Sequence, residues 1–178
     1  MITFSHYYSI LCEGGNVFKA NPTSRINLAN IAPTIKFLSQ ITGYNLSKSM
    51  LGSTGRRESS GDLDLSVDEK KMSKEELIQR LSQWCAERNF NPKDYIAKTG
   101  INVHFRSPII GDEEHGVQVD FMFVPDTKFA EFALANYEQP PFSGMHRNVI
   151  LSNLAKNLGF KWGGIQGMRT RTKPEEVI

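Results

Sequence analysis

The sequence predicts an α/β (α+β) fold, a small mixed, twisted sheet with helices packed on one side. Two stretches, residues 62–67 and 117–124, alternate polar and apolar side chains with the period of a β-strand. Four other stretches carry apolar residues at helical spacing or the capping residues of helix ends. This mixture predicts a half-buried sheet covered by amphipathic helices.

The predicted helices are recognisable by their ends. The first covers residues 30–42, tolerates Pro33 in its first turn and ends at Gly43. The second covers residues 73–89 and opens with Ser73-Lys-Glu-Glu76, the form of a capping box. A third helix is expected after Pro125-Asp126, and a fourth over residues 146–158 with Gly159 as its cap.

Further strands are predicted from alternation and turn residues. Residues 4–11 and Val17-Phe18 suggest a small N-terminal hairpin around Glu13-Gly-Gly-Asn16. Residues 46–67 read as a strand, a Gly-Ser turn and a second strand, and residues 101–106 as another strand. Residues 111–116 are expected to form a solvated hairpin loop. The basic tail that carries Arg169, Arg171 and Lys173 is expected to be solvated and mobile, with phosphate binding as the less favoured alternative.

Composition indicates one globular domain of 178 residues, with 39% hydrophobic and 22% charged residues. A net charge of +2 permits a nucleic-acid partner without arguing for one. No apolar run approaches membrane-spanning length, so no membrane partner is predicted and a cytoplasmic enzyme is expected.

Cys85 lies on the apolar side of the second helix and is expected to be a buried, reduced thiol. The four histidines share no metal-binding spacing and are expected to be surface or structural residues: His6, His104, His115 and His146.

Three aspartates lie on the polar faces of the two alternating strands. Asp62 and Asp64 share one face of the first strand, and Asp120 lies on the polar face of the second. If the strands are neighbours, the three carboxylates converge and repel one another unless cations lie between them. Two Mg²⁺ (or Mn²⁺) ions about 3.5–4 Å apart would compensate this charge and stabilise an in-line phosphoryl displacement. The three aspartates are therefore predicted to be metal ligands and catalytic residues.

The order of these motifs resembles the palm of the DNA polymerase beta superfamily of nucleotidyltransferases. Gly52-Ser53 is followed by a short basic linker, by Gly61-Asp62-Leu-Asp64, and later by a Val-Gln-Val-Asp strand ending at Asp120. The linker is similar to that of family X DNA polymerases, Gly-Ser-x-Arg-Arg-Gly, with one residue fewer before Gly61. The hairpin and palm also look like nucleotidyltransferases encoded by tailed phages, which would place the protein in the host cytoplasm.

The resemblance implies a nucleotide-binding site around the palm. It implies that turn amides near Gly52 and Ser53 bind phosphate oxygens, that Arg56, with Arg57 as an alternative, contacts the triphosphate, and that Ser60 and Gly61 add a further phosphate contact. Beyond the palm, Phe142-Ser-Gly144 is similar to a segment beside the incoming sugar. Asn148 keeps the spacing of a base-contacting asparagine.

The same resemblance divides the chain into a palm domain with the N-terminal hairpin, residues 1–140, and a nucleotide-flanking helix with a truncated thumb-like tail, residues 141–178. Pro141 replaces an aromatic residue, Gln118 an arginine two residues before the third aspartate, and Ser152 an arginine that contacts the template. Pro141 is therefore expected to reduce discrimination between ribose and deoxyribose, and Gln118 to change the tuning of Asp120. With Ser152, the short thumb and no expected N-terminal helical domain, templated gap filling is a weaker expectation than generic nucleotidyl transfer.

The expected reaction moves a nucleoside monophosphate from an NTP or dNTP to a hydroxyl group, with a nucleic-acid 3′ end as the first acceptor considered. A small molecule, a tRNA or a protein hydroxyl is the alternative acceptor. A non-catalytic protein that keeps the fold is the third alternative, against which the three intact carboxylates argue. The sequence leaves the oligomeric state open.

Overall fold

A computed structural model describes residues 17–134 and 144–171. The central feature is a four-stranded mixed sheet with the strand order β3-β6-β5-β4. Its strands are β3 (Asp62–Asp68), β4 (Ile96–Thr99), β5 (Asn102–Ile109) and β6 (Asp112–Val124). β3 runs parallel to β6, whereas β6, β5 and β4 form an antiparallel meander. The mixed sheet expected from the sequence is therefore present.

Two two-stranded sheets flank the central one. In the first, β1 (Ile26–Asn27) pairs antiparallel with β2 (Ser59–Ser60), directly before β3. In the second, β7 (Phe160–Gly163) pairs antiparallel with β8 (Gly167–Thr170). The prediction of a mobile basic tail is thus wrong up to Thr170, because the backbone of this segment forms a hairpin.

Four α-helices complete the described fold: α1 (Leu28–Thr42), α2 (Lys74–Ala86), α3 (Thr127–Leu134) and α4 (Gly144–Asn157). All four predicted helices are confirmed, with ends that differ by up to three residues. The Ser73 side chain accepts a hydrogen bond from the Glu76 amide (3.1 Å), as the capping box requires. The left-handed Gly43 (φ 63°) ends α1, a conformation that glycine adopts without a steric penalty.

Some predicted strands differ from the structure. Residues 112–116 belong to β6 rather than to a loop, because the chain reverses at Gly111 (φ 91°), before the acidic residues. In the strand-turn-strand, the segment before the turn contributes a single bridge, Met50 to Leu65. Val17 and Phe18 lie outside any strand, and residues 4–11 lie outside the described residues. The strands β1, β4, β7 and β8 were not predicted.

The apolar face of the sheet packs against α1 and α2 in one buried cluster. Leu63 and Leu65 of β3 and Val119 and Phe121 of β6 are fully buried in it. Cys85 of α2 is a buried free thiol, as predicted, and burial raises its pKa. About 25 cal/mol per Å² of apolar area removed from water stabilises this arrangement and fixes which face of β3 points to solvent.

The opposite face of the sheet carries the polar side chains. Met122, which shares this face with Asp120, packs against a smaller cluster of Leu51, Val124 and Ala130 of α3. The prediction that the helices pack on one side therefore holds for α1 and α2 and is wrong for α3. Among the residues described, no helix is both long and apolar enough to cross a lipid bilayer.

Candidate active site

Two neighbouring parallel strands bring the three aspartates together. In the parallel pairing of β3 with β6, Asp64 lies directly opposite Asp120 and Asp62 lies opposite Gln118. Alternation along β3 points Asp62 and Asp64 away from the buried face that carries Leu63 and Leu65. Each aspartate offers one carboxylate oxygen, and these oxygens all lie within 4.8 Å of one another.

The cluster is electrostatically unfavourable without a cation. Burial, with the nearby charges of Asp62 and Asp120, raises the pKa of Asp64 to about 7. The pKa of Asp62 is also raised, first by burial and then by Asp120, while its own backbone amide and Arg25 act in the opposite direction. The pKa values of Asp62 and Asp64 rise for the same reason: their carboxylates are partly buried and lie close to other negative charges.

The donor set fits a hard divalent cation. All three ligands are carboxylate oxygens, the donors that Mg²⁺ and Mn²⁺ prefer. The half-buried carboxylates also leave room for substrate oxygens and water, which Mg²⁺ usually retains in its coordination shell. Asp62, Asp64 and Asp120 are thus a candidate metal centre with the chemistry that phosphoryl transfer requires.

The turn before β3 is fastened to the backbone of Asp64. The amide of Leu51 donates to the carbonyl of Asp64 (2.8 Å), and the amide of Asp64 donates to the buried Thr54 hydroxyl (3.0 Å). Gly52 has φ 56°, and a Cβ there would lie 2.6 Å from Oδ2 of Asp64. The glycine is therefore required both by its backbone conformation and by the approach of the carboxylate. Ser53, next in the turn, is half-buried and accepts a hydrogen bond from the Arg56 amide through its carbonyl (3.1 Å).

Arg56 lies beside this turn, and Arg57 is exposed. Arg56 lines a cavity of about 360 Å³ together with Thr54, Lys48 and Glu131. The Thr54 hydroxyl also accepts a hydrogen bond from the backbone amide of Asp64, so the cavity lining contacts the strand that carries two of the carboxylates. The structure thus places the half-buried Arg56, rather than the exposed Arg57, in the lining of this cavity.

A second arginine, which the sequence reasoning missed, lies at the other end of the site. Arg25 donates through Nε to Oγ of Ser59 (3.1 Å) and through Nη2 to the Ser59 carbonyl (3.0 Å). Its charge lowers the pKa of Asp62, and a Cβ on Gly61 would lie 3.4 Å from its Nη1. Arg25 directly precedes β1, and the pairing of β1 with β2 brings it close to Asp62. The sequence shows no sign of this pairing, so it did not identify Arg25.

Ser60 is buried next to this arginine. Its Oγ has no hydrogen-bond partner among the described residues, although the side chain is only 3% exposed. An unpaired buried hydroxyl costs about 1–3 kcal/mol, and the contact of Ser60 with phosphate stays a prediction, because its Oγ is enclosed by protein. Gly61, which follows, is exposed.

Two buried polar side chains contact Asp120. His104 of β5 lies opposite Asp120 in the register, and its Nδ1 is 2.7 Å from Oδ1 of Asp120. Gln118 of β6 donates through Nε2 to the same oxygen (3.0 Å). Of the surface or structural role expected for His104, the structure excludes the surface role, because His104 is buried against a candidate metal ligand.

The later segment is described in part. Phe142 lies outside the described residues, and a Cβ on Gly144 would overlap the carbonyl group of Leu134. The Asn148 amide nitrogen donates to the carbonyls of Ala133 (2.7 Å) and Gly144 (2.9 Å), and its oxygen accepts from the Trp162 indole (2.7 Å). Asn148 therefore ties α3, α4 and β7 together, and its contact with a base stays a prediction.

No protein-family model matches this sequence, and no curated protein shows a significant match to it.

Proposed function

We propose that the chain is a nucleotidyltransferase with a palm of the DNA polymerase beta type, which moves a nucleoside monophosphate from an NTP or dNTP to a hydroxyl group. One observation carries this proposal: three carboxylates from two adjacent parallel strands lie within 4.8 Å, next to the turn that carries Gly52 and Ser53. Carboxylate oxygens at this spacing match what metal-assisted phosphoryl transfer needs.

The residues of the chain have separate tasks in this reaction. Asp62, Asp64 and Asp120 would hold two Mg²⁺ (or Mn²⁺) ions. Such ions, when bound, supply Lewis-acid stabilisation of phosphate oxygens and lower the pKa of an attacking hydroxyl. Arg56, from its cavity, would bind the triphosphate and stabilise the negative charge that develops on the leaving pyrophosphate.

Groups on either side of the carboxylates would complete triphosphate binding. The turn at residues 52–55 would contribute backbone amides to phosphate oxygens, although the Thr54 amide already donates to the Leu51 carbonyl (3.2 Å). At the other end of the site, the exposed Arg25 guanidinium, which lies near Asp62, offers further donors. A triphosphate would thus meet donors on two sides and metal ligands between them.

A nucleic-acid acceptor is favoured by the distribution of charge. Residues 144–171 contain five of the 21 Lys and Arg residues and none of the 19 Asp and Glu residues. The rest of the chain has more acidic than basic residues, so the net charge of the whole chain is only +2 and does not reveal this basic region. A basic region that follows the palm is suited to phosphate groups of a nucleic-acid strand. Its basic side chains are Arg147, Lys156, Lys161, Arg169 and Arg171.

The proposal is tested by incubating the purified chain with nucleotides labelled at the α-phosphate, Mg²⁺ or Mn²⁺, and a panel of acceptors. The panel contains DNA and RNA oligonucleotides, tRNA, small hydroxyl compounds and the protein itself. Labelled product should form with the wild type and be lost in Asp62→Asn. It should persist in Asp68→Asn, because that carboxylate lies on the same strand but contacts Lys70 and Lys71 instead.

The acceptor is assigned by salt dependence as well as by product. Oligonucleotide binding should weaken steeply as salt rises, and Lys161→Ala should weaken it more than Lys93→Ala, an exposed lysine outside the basic region. Product on a small molecule, with no salt-sensitive nucleic-acid binding, would replace this acceptor by the alternative one. Absence of metal-dependent transfer to every acceptor would contradict the enzymatic proposal and leave a binding protein with this fold.

A further inference from the structure

Both buried donors next to the carboxylate cluster bind the same oxygen atom. His104 and Gln118 are 6% and 4% exposed, and both contact Oδ1 of Asp120, at 2.7 and 3.0 Å. If Asp120 binds a metal as a carboxylate, it can only accept hydrogen bonds, and Nδ1 of His104 would be the donor to Oδ1. Two hydrogen bonds would then occupy the two lone pairs of Oδ1, whereas Oδ2 of Asp120 has no hydrogen-bond partner among the described residues.

The backbone fixes both donors in place. Gln118 precedes Asp120 by two residues on β6, so their side chains share one face, and His104 lies directly across on the antiparallel β5. Gln118 is anchored at its other end, because its Oε1 accepts a hydrogen bond from the Val17 amide (3.0 Å). This second contact also assigns the amide orientation, with the nitrogen directed at Asp120.

A carboxylate held in this way suits some cations better than others. Mg²⁺ and Mn²⁺ readily accept one oxygen from each carboxylate in an octahedral shell, whereas Ca²⁺ takes six to eight oxygens and often binds both oxygens of one carboxylate. Partners that hold a ligating group from outside the metal shell typically change metal affinity about 10- to 100-fold when they are removed.

We propose that His104 and Gln118 are positioning residues that restrict Asp120 to one metal-binding oxygen, and that they thereby make the site selective for small octahedral cations over Ca²⁺. The inference deepens the proposed function, because it rests on the same three carboxylates. It concerns cation binding alone and requires no turnover.

The test measures Mn²⁺ affinity by electron paramagnetic resonance and Ca²⁺ affinity by competition, at one fixed, mildly alkaline pH without nucleotide. His104→Leu removes a donor, whereas His104→Asn places an amide nitrogen close to the position of Nδ1. The matched control is His115→Leu, because His115 makes the same type of contact with Asp112 (2.9 Å) on the exposed part of the hairpin.

His104→Leu should lower the ratio of Mn²⁺ to Ca²⁺ affinity at least about ten-fold, His104→Asn should restore most of it, and His115→Leu should leave it unchanged. A wild-type ratio in folded His104→Leu, or an equal loss in His104→Asn, would overturn the inference. If circular dichroism shows that His104→Leu does not fold, Gln118→Met removes the other donor at similar length and is judged by the same ratio.

The two proposals can fail separately. A fall in the cation ratio with no nucleotidyl transfer by the wild type would support the role of His104 and Gln118 and contradict the enzymatic function. Metal-dependent transfer by the wild type, with an unchanged ratio of Mn²⁺ to Ca²⁺ affinity in the variants, would support the enzymatic function and contradict the role of His104 and Gln118.

Discussion

Asp64→Asn should stabilise the metal-free protein at alkaline pH, because it removes the carboxylate whose ionisation the fold opposes most clearly. The pKa of Asp64 is raised from 3.8 to about 7, first by burial and then by Asp62 and Asp120. At 1.36 kcal/mol per pKa unit, this rise of about three units corresponds to an upper limit of about 4 kcal/mol. Partial exposure and mutual adjustment of the three charges reduce the value that would be measured.

The sign of the pH dependence follows from the direction of the pKa shift. The folded state binds the Asp64 proton more tightly than the unfolded state, so this group favours folding below about pH 4 and the favourable contribution is lost as pH rises to about 7. Asn has no proton to lose. The gain in the free energy of unfolding should therefore be small near pH 4, rise between pH 4 and 7, and level off above pH 7.

The assay is urea unfolding of wild type and Asp64→Asn in the presence of EDTA across this pH range. Asp68→Asn, which removes a carboxylate of the same strand outside the cluster, should show no alkaline gain. Excess Mg²⁺ should reduce the difference by stabilising the wild type through binding to its folded state. A gain of equal size at acidic and alkaline pH, or a loss at alkaline pH, would refute the electrostatic account of the cluster.

Three further substitutions test the site. Asp120→Asn should abolish nucleotidyl transfer. The melting temperature of the metal-free protein should stay level or rise, because one of three mutually repelling charges is removed. Turnover within a few-fold of wild type would contradict the three-carboxylate mechanism. Arg56→Ala should weaken binding of a nucleoside triphosphate more than of a monophosphate in calorimetry with Mg²⁺, and equal losses would remove Arg56 from the triphosphate site. Gly52→Ala should cost about 1–2 kcal/mol from the left-handed backbone alone, and more because its Cβ would lie 2.6 Å from Oδ2 of Asp64; unchanged stability in urea unfolding would show that the turn can move away.

Local sequence patterns determined the elements that carry the site. Alternation of polar and apolar residues identified β3 and the second half of β6, and it placed Asp62 and Asp64 on the face away from the core. The Ser73 cap and the glycine after α1 marked helix ends through contacts that span only a few residues. These predictions succeeded because both the pattern and its cause are local.

Pairing between distant segments was decided by the tertiary structure. The register that sets Asp64 beside Asp120 joins residues 56 positions apart, and an alternating pattern alone is satisfied by any neighbouring strand with the same buried face. The register of β5 on β6 shifts between Pro108 and Ile109, and His104 lies opposite Asp120 only in the register that follows this irregularity. A histidine without metal-binding spacing gave no sign of this role in the sequence.

The same reason explains Arg25 and Asn148. Arg25 reaches the site only because β1 pairs with β2, a contact between segments more than 30 residues apart. Asn148 binds the carbonyl of Ala133 on α3 and the indole of Trp162, so packing between helices and the terminal hairpin sets its environment. The sequence alone therefore determined which residue types could bind metal and phosphate and on which faces they lie. The long-range packing decided which of these residues meet. Burial of apolar surface fixes how the strands and helices are arranged, and this arrangement sets the positions of the polar side chains on their other faces.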